Sequence, residues 1–250
     1  MDLSAAVRAY HALLDEGAAR ESFALLEAGL RRLGLPAGPA RERPPCDVLR
    51  PRLLAPAQYA LLKVASAGVG RAVHQVAMAA LANEFLLAPA ERELLAMDRG
   101  HPGAPLLGRL DGFLDPEGRW CAFGWASLEA PVGIAYDDAL VEIFRALPAM
   151  RAFVAARPVH VFELWRRLHH TLREAWRAWG GSGAPALAIV AARASVAARE
   201  AELLRARFAE AGTPTLVADP DELRYDGATL YVERDGRREP REHARKAARC

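Results

Sequence analysis

The stretch from Ala186 to Pro220 limits the fold more than any other part of the chain. Ala186 to Ala192 is a continuous apolar run of strand length, Val196 to Ala211 has helical character, and Thr215 to Ala218 is a second short apolar run ending at Asp219-Pro220. Strand, helix and strand in that order make a βαβ unit, which places the chain in the α/β class. A hairpin is predicted directly after it. Leu223-Arg224-Tyr225 and Thr229-Leu230-Tyr231-Val232 flank Asp226-Gly227, a turn pair in which glycine supplies the positive φ.

Upstream, Leu106 to Leu114 and Arg119 to Trp125 are two short apolar-rich runs joined by Asp115-Pro116-Glu117-Gly118, and they predict a second hairpin. The rest reads as helix. Residues 2 to 34 form two amphipathic helices around a break at Gly17, with Leu13, Leu14, Phe23, Leu26, Leu30 and Leu33 at helical spacing. Pro36, Pro39, Pro44 and Pro45 make residues 35 to 46 a linker. A helical block is expected from Pro56 to Met97, broken near Gly68 and Gly70 and again around Pro89. Helices return at Asp137 to Leu147 and at Val161 to Trp179, followed by a Gly180 to Gly183 loop. From Glu233 onward seven basic and four acidic side chains, with Cys250 alone as a core former, predict a disordered basic tail.

The expected organisation is therefore a helical N-terminal extension and linker (1 to 46) and a helical block carrying the first hairpin (47 to 183). A βαβ-hairpin unit (184 to 232) and the tail (233 to 250) complete it. With 52% apolar residues in 250, the chain can bury one large core or two modest ones. A net charge of +2 gives no global field toward nucleic acid or an anionic membrane. No apolar run approaches the roughly 20 residues of a membrane span. Three widely spaced cysteines, Cys46, Cys121 and Cys250, fit a reducing, cytoplasmic setting.

The segment Leu107-Gly108-Arg109-Leu110-Asp111-Gly112-Phe113-Leu114-Asp115-Pro116-Glu117-Gly118, followed by Glu129-Ala130-Pro131-Val132-Gly133-Ile134-Ala135-Tyr136-Asp137-Asp138, resembles circularly permuted ATP-grasp proteins related to glutathionylspermidine synthase. Arg50-Pro51, Gln58-Tyr59, Ala188-Ile189-Val190, Ala218-Asp219-Pro220 and Glu222-Leu223 fall in the matching order, so the resemblance runs from about residue 50 to 232. It implies that the first hairpin corresponds to part of an ATP-grasp core and that the βαβ segment is a small Rossmann-like pre-ATP-grasp unit. It also implies that an Arg-x-Asp segment and a Glu-x-Asn pair on the next strand hold ATP phosphates and Mg²⁺. Carboxylate activation as an acyl phosphate needs such groups, because hard oxygen ligands fix the metal and a guanidinium neutralises phosphate.

Aligned this way, Arg109, Asp111 and Glu129 are the surviving nucleotide and metal candidates. Trp125 stands at the Glu position and Ser127 at the Asn position. Ala191 and Ala197 stand where relatives carry an acid at a strand end and a hydroxyl at the next helix start. Relatives also continue into a further ATP-binding lobe, where this chain ends in an arginine-rich segment. The expectation is a degenerate or truncated relative of ATP-dependent carboxylate-amine ligases, inactive alone. The alternatives are an interaction or structural protein that binds a protein partner or forms a homo-oligomer, and an active Mg-ATP ligase with a non-standard metal site.

Other groups have plain readings. Arg109 and Asp111, two apart on one strand face, also suit a simple ion pair. Asp137 and Asp138 suit a helix start. His169 and His170 diverge by roughly 100° on a helix and cannot clasp one metal together. Trp165, Trp176 and Trp179 fall near whole helical turns and predict one aromatic stripe at a core or interface.

Overall fold

A computed structural model describes residues 2–34, 46–82, 88–97, 107–115, 119–127, 133–227 and 230–239. The fold is mixed α/β, 58% helical, with small sheets of two or three strands. The chain divides into two compact units, one from Met1–Arg8 and Arg52–Pro131, the other from Ala9–Pro51 and Val132–Cys250.

The N-terminal helices form as expected. Helix α1 (Leu3–Leu13) and helix α2 (Ala19–Arg32) are joined by a π-helical turn, Leu14–Ala18, in which Gly17 takes φ 105°. A side chain at position 17 would be strained there, and this is the physical basis of the break.

In the first unit, α3 (Pro56–Ala82) is a single helix of 27 residues. The break expected at Gly68 and Gly70 is absent: neither glycine has a positive φ, and nothing lies within 4 Å of where their Cβ atoms would stand. A glycine costs a helix interior about 1 kcal/mol relative to alanine, too little to interrupt long alanine-rich runs on both sides. Helix α4 (Pro89–Met97) starts at the expected proline. Strands β1 (Arg109–Leu114) and β2 (Cys121–Ser127) form the antiparallel hairpin, and α3 packs against β2. The ends of this hairpin meet through Asp115, whose N–H donates to Trp120 O at 3.1 Å. The buried Gln58 amide donates to the carbonyl of Asp115.

The second unit holds most of the core. Helices α5 (Ile134–Ala146), α6 (Pro148–Ala156), α7 (Leu164–Ala178) and α8 (Val196–Glu210) pack with α2 around Leu26, Leu30, Ile143, Phe144, Leu147, Phe153 and Phe208. Helix α6 is not predicted from the sequence; Pro148 occupies its first turn, where the fixed φ of proline suits a helix and its missing N–H costs nothing. Tyr10 is fully buried, meets Phe153 edge to face at 5.2 Å and donates to Leu49 O at 2.8 Å. Burial pushes its hydroxyl pKa up to about 12.

Strands β3 (Leu187–Val190) and β4 (Thr215–Ala218) pair in parallel, with α8 crossing between them and packing on both. A three-stranded antiparallel sheet follows: β5 (Leu223–Tyr225), β6 (Leu230–Arg234) and β7 (Arg237–Glu239). Residues 233 to 239, expected in a disordered tail, are thus strand and turn. Asp235 and Gly236, at φ 50° and 70°, make the two-residue turn, and Arg238 lies 4.2 Å over the Tyr231 ring. The linker residues 35 to 45 and the tail residues 240 to 250 lie outside the described residues.

Candidate functional site

The hairpin brings four of the predicted residues onto one face. Its register opposes Arg109 to Ser127 and Asp111 to Trp125, and paired residues in an antiparallel ladder point the same way. Arg109 donates to Asp111 through Nε at 2.9 Å and Nη2 at 3.2 Å, one donor to each carboxylate oxygen. Both side chains remain about half exposed. Beyond Asp111 the register shifts, so that Gly112 faces Phe123 and Gly124 becomes the extra residue of a bulge on β2. A Cβ at position 112 would stand 2.9 Å from Ala122 O and from the Phe123 ring, which requires glycine there.

Trp125 therefore stands across from Asp111, 64% exposed, with Phe113 70% exposed on the same face. The oxygen donors described on this face are the Asp111 carboxylate, already gripped by Arg109, and the Ser127 hydroxyl. An indole has no lone pair to give a metal. Glu129, the remaining acidic candidate, lies outside the described residues. Among the described residues no group of three or more His, Cys, Asp or Glu side chains is placed to hold a metal ion.

The carboxyl ends of β3 and β4 form the other place where an α/β unit ordinarily receives ligands. Ala191 is buried, and its N–H donates to Ala218 O at 2.9 Å, so the ladder continues one step past β3. Ala197 lies in the first turn of α8 and is half-buried. The polar groups here are ones the sequence reading did not single out: Arg193, Asp219, Glu222 and Arg234. The Arg193 N–H donates to Asp219 at 2.8 Å, and its guanidinium donates to Glu222. Asp219 and Glu222 form a reciprocal capping box on the 3₁₀ turn Pro220–Glu222. Arg234 donates to both Glu222 oxygens, at 2.9 and 3.0 Å, and to the carbonyl of Val217. The Arg234 hydrogen bond and the Asp219 N–H hold the Glu222 carboxyl pKa down to about 2. Backbone N–H groups of Arg193 and Asp221 lower that of Asp219. Each acid is engaged in holding the β4–β5 corner.

Two further buried acids act as long-range helix caps. Asp138, on α5, accepts from Leu164 N at 2.9 Å and Trp165 N at 2.7 Å, the first N–H groups of α7. Glu200, on α8, accepts from Gly133 N at 2.8 and 2.9 Å and from Ala135 N at 2.9 Å, at the start of α5. Asp138 thus serves a helix start, but that of α7 rather than its own. Asp137 is raised above the usual carboxylate range by burial and by the neighbouring Asp138 charge.

His169 and His170 part as their spacing requires: His169 is buried while His170 is exposed. Nε2 of His169 lies 2.7 Å from Thr213 Oγ1, and its ring stacks on Phe208 at 5.2 Å. The tryptophans do not form one buried stripe. Trp165 is in the core, whereas Trp179 lies one residue past the end of α7 and is 61% exposed. A small cavity of about 30 Å³ between α5, α7 and α8 is bordered by Asp138, Trp165 and Arg207 and has room for one or two waters. No described helix is long and apolar enough to cross a membrane. No protein family, curated protein or solved structure matches the chain.

Proposed function

We propose that this chain is a non-catalytic relative of the ATP-dependent carboxylate-amine ligases, an interaction scaffold of the cytoplasm. In this reading the β1–β2 hairpin corresponds to part of an ATP-grasp core, and β3–α8–β4 to a small Rossmann-like unit. The single observation that carries the proposal is the hairpin face: Arg109 forks onto Asp111, and Trp125 stands opposite in register.

A phosphoryl-transfer site needs a guanidinium available to phosphate and carboxylates available to Mg²⁺. Here the guanidinium and the carboxylate neutralise each other, and the residue opposite Asp111, Trp125, offers apolar surface in place of oxygen. A face with exposed Trp125 and Phe113 around a charge pair has the composition of a protein-binding surface, where exposed aromatic side chains supply most of the contact energy. The acids at the β3–β4 end support the same reading, because they cap turns and pair with Arg193 and Arg234.

The test is thermal melting of the full chain with and without about 1 mM Mg-ATP. A ligand at 100 times its Kd adds about 2.7 kcal/mol, a shift of several degrees. Unchanged melting is expected. A clear upward shift, lost in Asp111→Ala, would return the chain to the active ligases.

A further inference from the structure

We propose that β1 pairs with β1 of a second copy of this chain, antiparallel and centred on Leu110, so that the two hairpins join into one four-stranded sheet. The sequence Leu107-Gly108-Arg109-Leu110-Asp111-Gly112-Phe113 has the same order of physical types from either end: apolar, glycine, charge, leucine, opposite charge, glycine, apolar. Antiparallel pairing about Leu110 sets Arg109 opposite the partner's Asp111, Gly108 opposite the partner's Gly112, and Phe113 opposite the partner's Leu107. A two-fold axis makes each of these contacts twice. Parallel pairing in register would instead set like charges against each other, which is unfavourable.

The geometry favours β1 over β2 as the joining strand. Among the described residues β1 has a neighbouring strand on one side only, and the bulge that interrupts the hairpin lies on β2 at Gly124. A bulged edge resists strand addition, whereas a regular one accepts it. Charges on an edge normally turn away generic strands; here the order of the two charges admits a copy of itself. A two-stranded hairpin buries little by itself, and joining two extends the sheet and lays the exposed Phe113 beside the partner's strand. The inference rests on the reading of this face as a protein-binding surface.

Light scattering after size exclusion, from about 1 to 100 μM chain, reads the mass directly. A dimer that strengthens with concentration is expected. Arg109→Asp sets acid against acid twice per dimer and is expected to weaken association roughly tenfold or more, while the double reversal Arg109→Asp/Asp111→Arg restores it. Asp111→Arg alone gives the same loss and serves if circular dichroism shows Arg109→Asp misfolded. A monomeric mass at every concentration, a dimer indifferent to both single reversals, or a double reversal without recovery each overturns the pairing. The two proposals fail separately: a monomer unmoved by Mg-ATP removes the dimer alone, and a charge-sensitive dimer whose melting rises with Mg-ATP removes the non-catalytic reading alone.

Discussion

Replacing Glu200 by alanine is expected to destabilise the second unit far more than any change in a surface ion pair. The carboxylate sits on α8, is buried, and receives two N–H groups, those of Gly133 and Ala135, through three contacts of 2.8 to 2.9 Å. Removing it strands both donors at the start of α5, and a buried unsatisfied N–H costs about 1–3 kcal/mol. Loss of the negative charge at a helix N-terminus adds a few tenths to 1 kcal/mol. The sum is roughly 2–7 kcal/mol, which for a chain of this size lowers the melting temperature by about 5 to 25 °C. Glu200→Gln keeps one acceptor oxygen but turns an amide N–H₂ toward a donor, so about half the loss is expected. Glu202, two positions along the same helix, is about half exposed and pairs with Arg205 at 2.6 Å; its alanine variant is expected within about 0.5 kcal/mol of wild type. The assay is urea denaturation at pH 7 followed by circular dichroism, reading the midpoint at constant slope. Equal midpoints for Glu200→Ala and Glu202→Ala would refute the capping argument.

Two other perturbations follow from the same packing. Gly29→Ala places a Cβ 2.8 Å from Cγ1 of the buried Ile143 where α2 meets α5, and urea midpoints are expected to show a loss of about 1–3 kcal/mol. The pKa of His169 is held below 6.5 by burial, then by the Arg173 and His170 charges. The unfolded chain therefore binds the proton first: stability is complete above 6.5 and declines as pH falls below it toward the depressed value. His169→Gln is expected to flatten that decline in denaturation curves taken between about pH 7.5 and 5.5.

The parts of the fold that were legible in the sequence are those whose signal is local. The β4 run Thr215 to Ala218, the hairpin about residues 115 to 120 and the helix break at Gly17 each follow from nearby residues alone. The extension to β7 had a local signal too, the pair Asp235-Gly236, identical to the pair read as a turn at Asp226-Gly227. Its strand, Arg237–Glu239, lacks apolar residues and is held by pairing with β6, including Arg234 to Glu239 at 3.6 Å. Composition pointed to a tail because the stabilising contacts belong to the partner strand. The helix breaks expected at Gly68 and Gly70 overweighted a small propensity.

At the candidate site, the sequence placed Arg109, Asp111, Trp125 and Ser127 on a hairpin, and the register puts them on one face. The bidentate fork between Arg109 and Asp111 was the plain reading of two charges at that spacing. The polar cluster of Arg193, Asp219, Glu222 and Arg234 joins three separate elements. The caps made by Asp138 and Glu200 bridge 26 to 67 positions of sequence. No periodicity or short motif encodes contacts of that range, although the acids Asp219 and Glu222 at the spacing of a capping box could have been read as one.

The most direct measurement is a calorimetric titration of Mg-ATP into the full chain, with Asp111→Ala titrated in parallel. The proposed non-catalytic reading, which rests on the Arg109–Asp111 fork with Trp125 opposite Asp111, predicts heats of dilution only, identical for both proteins. A saturable heat with wild type that vanishes in Asp111→Ala would contradict it.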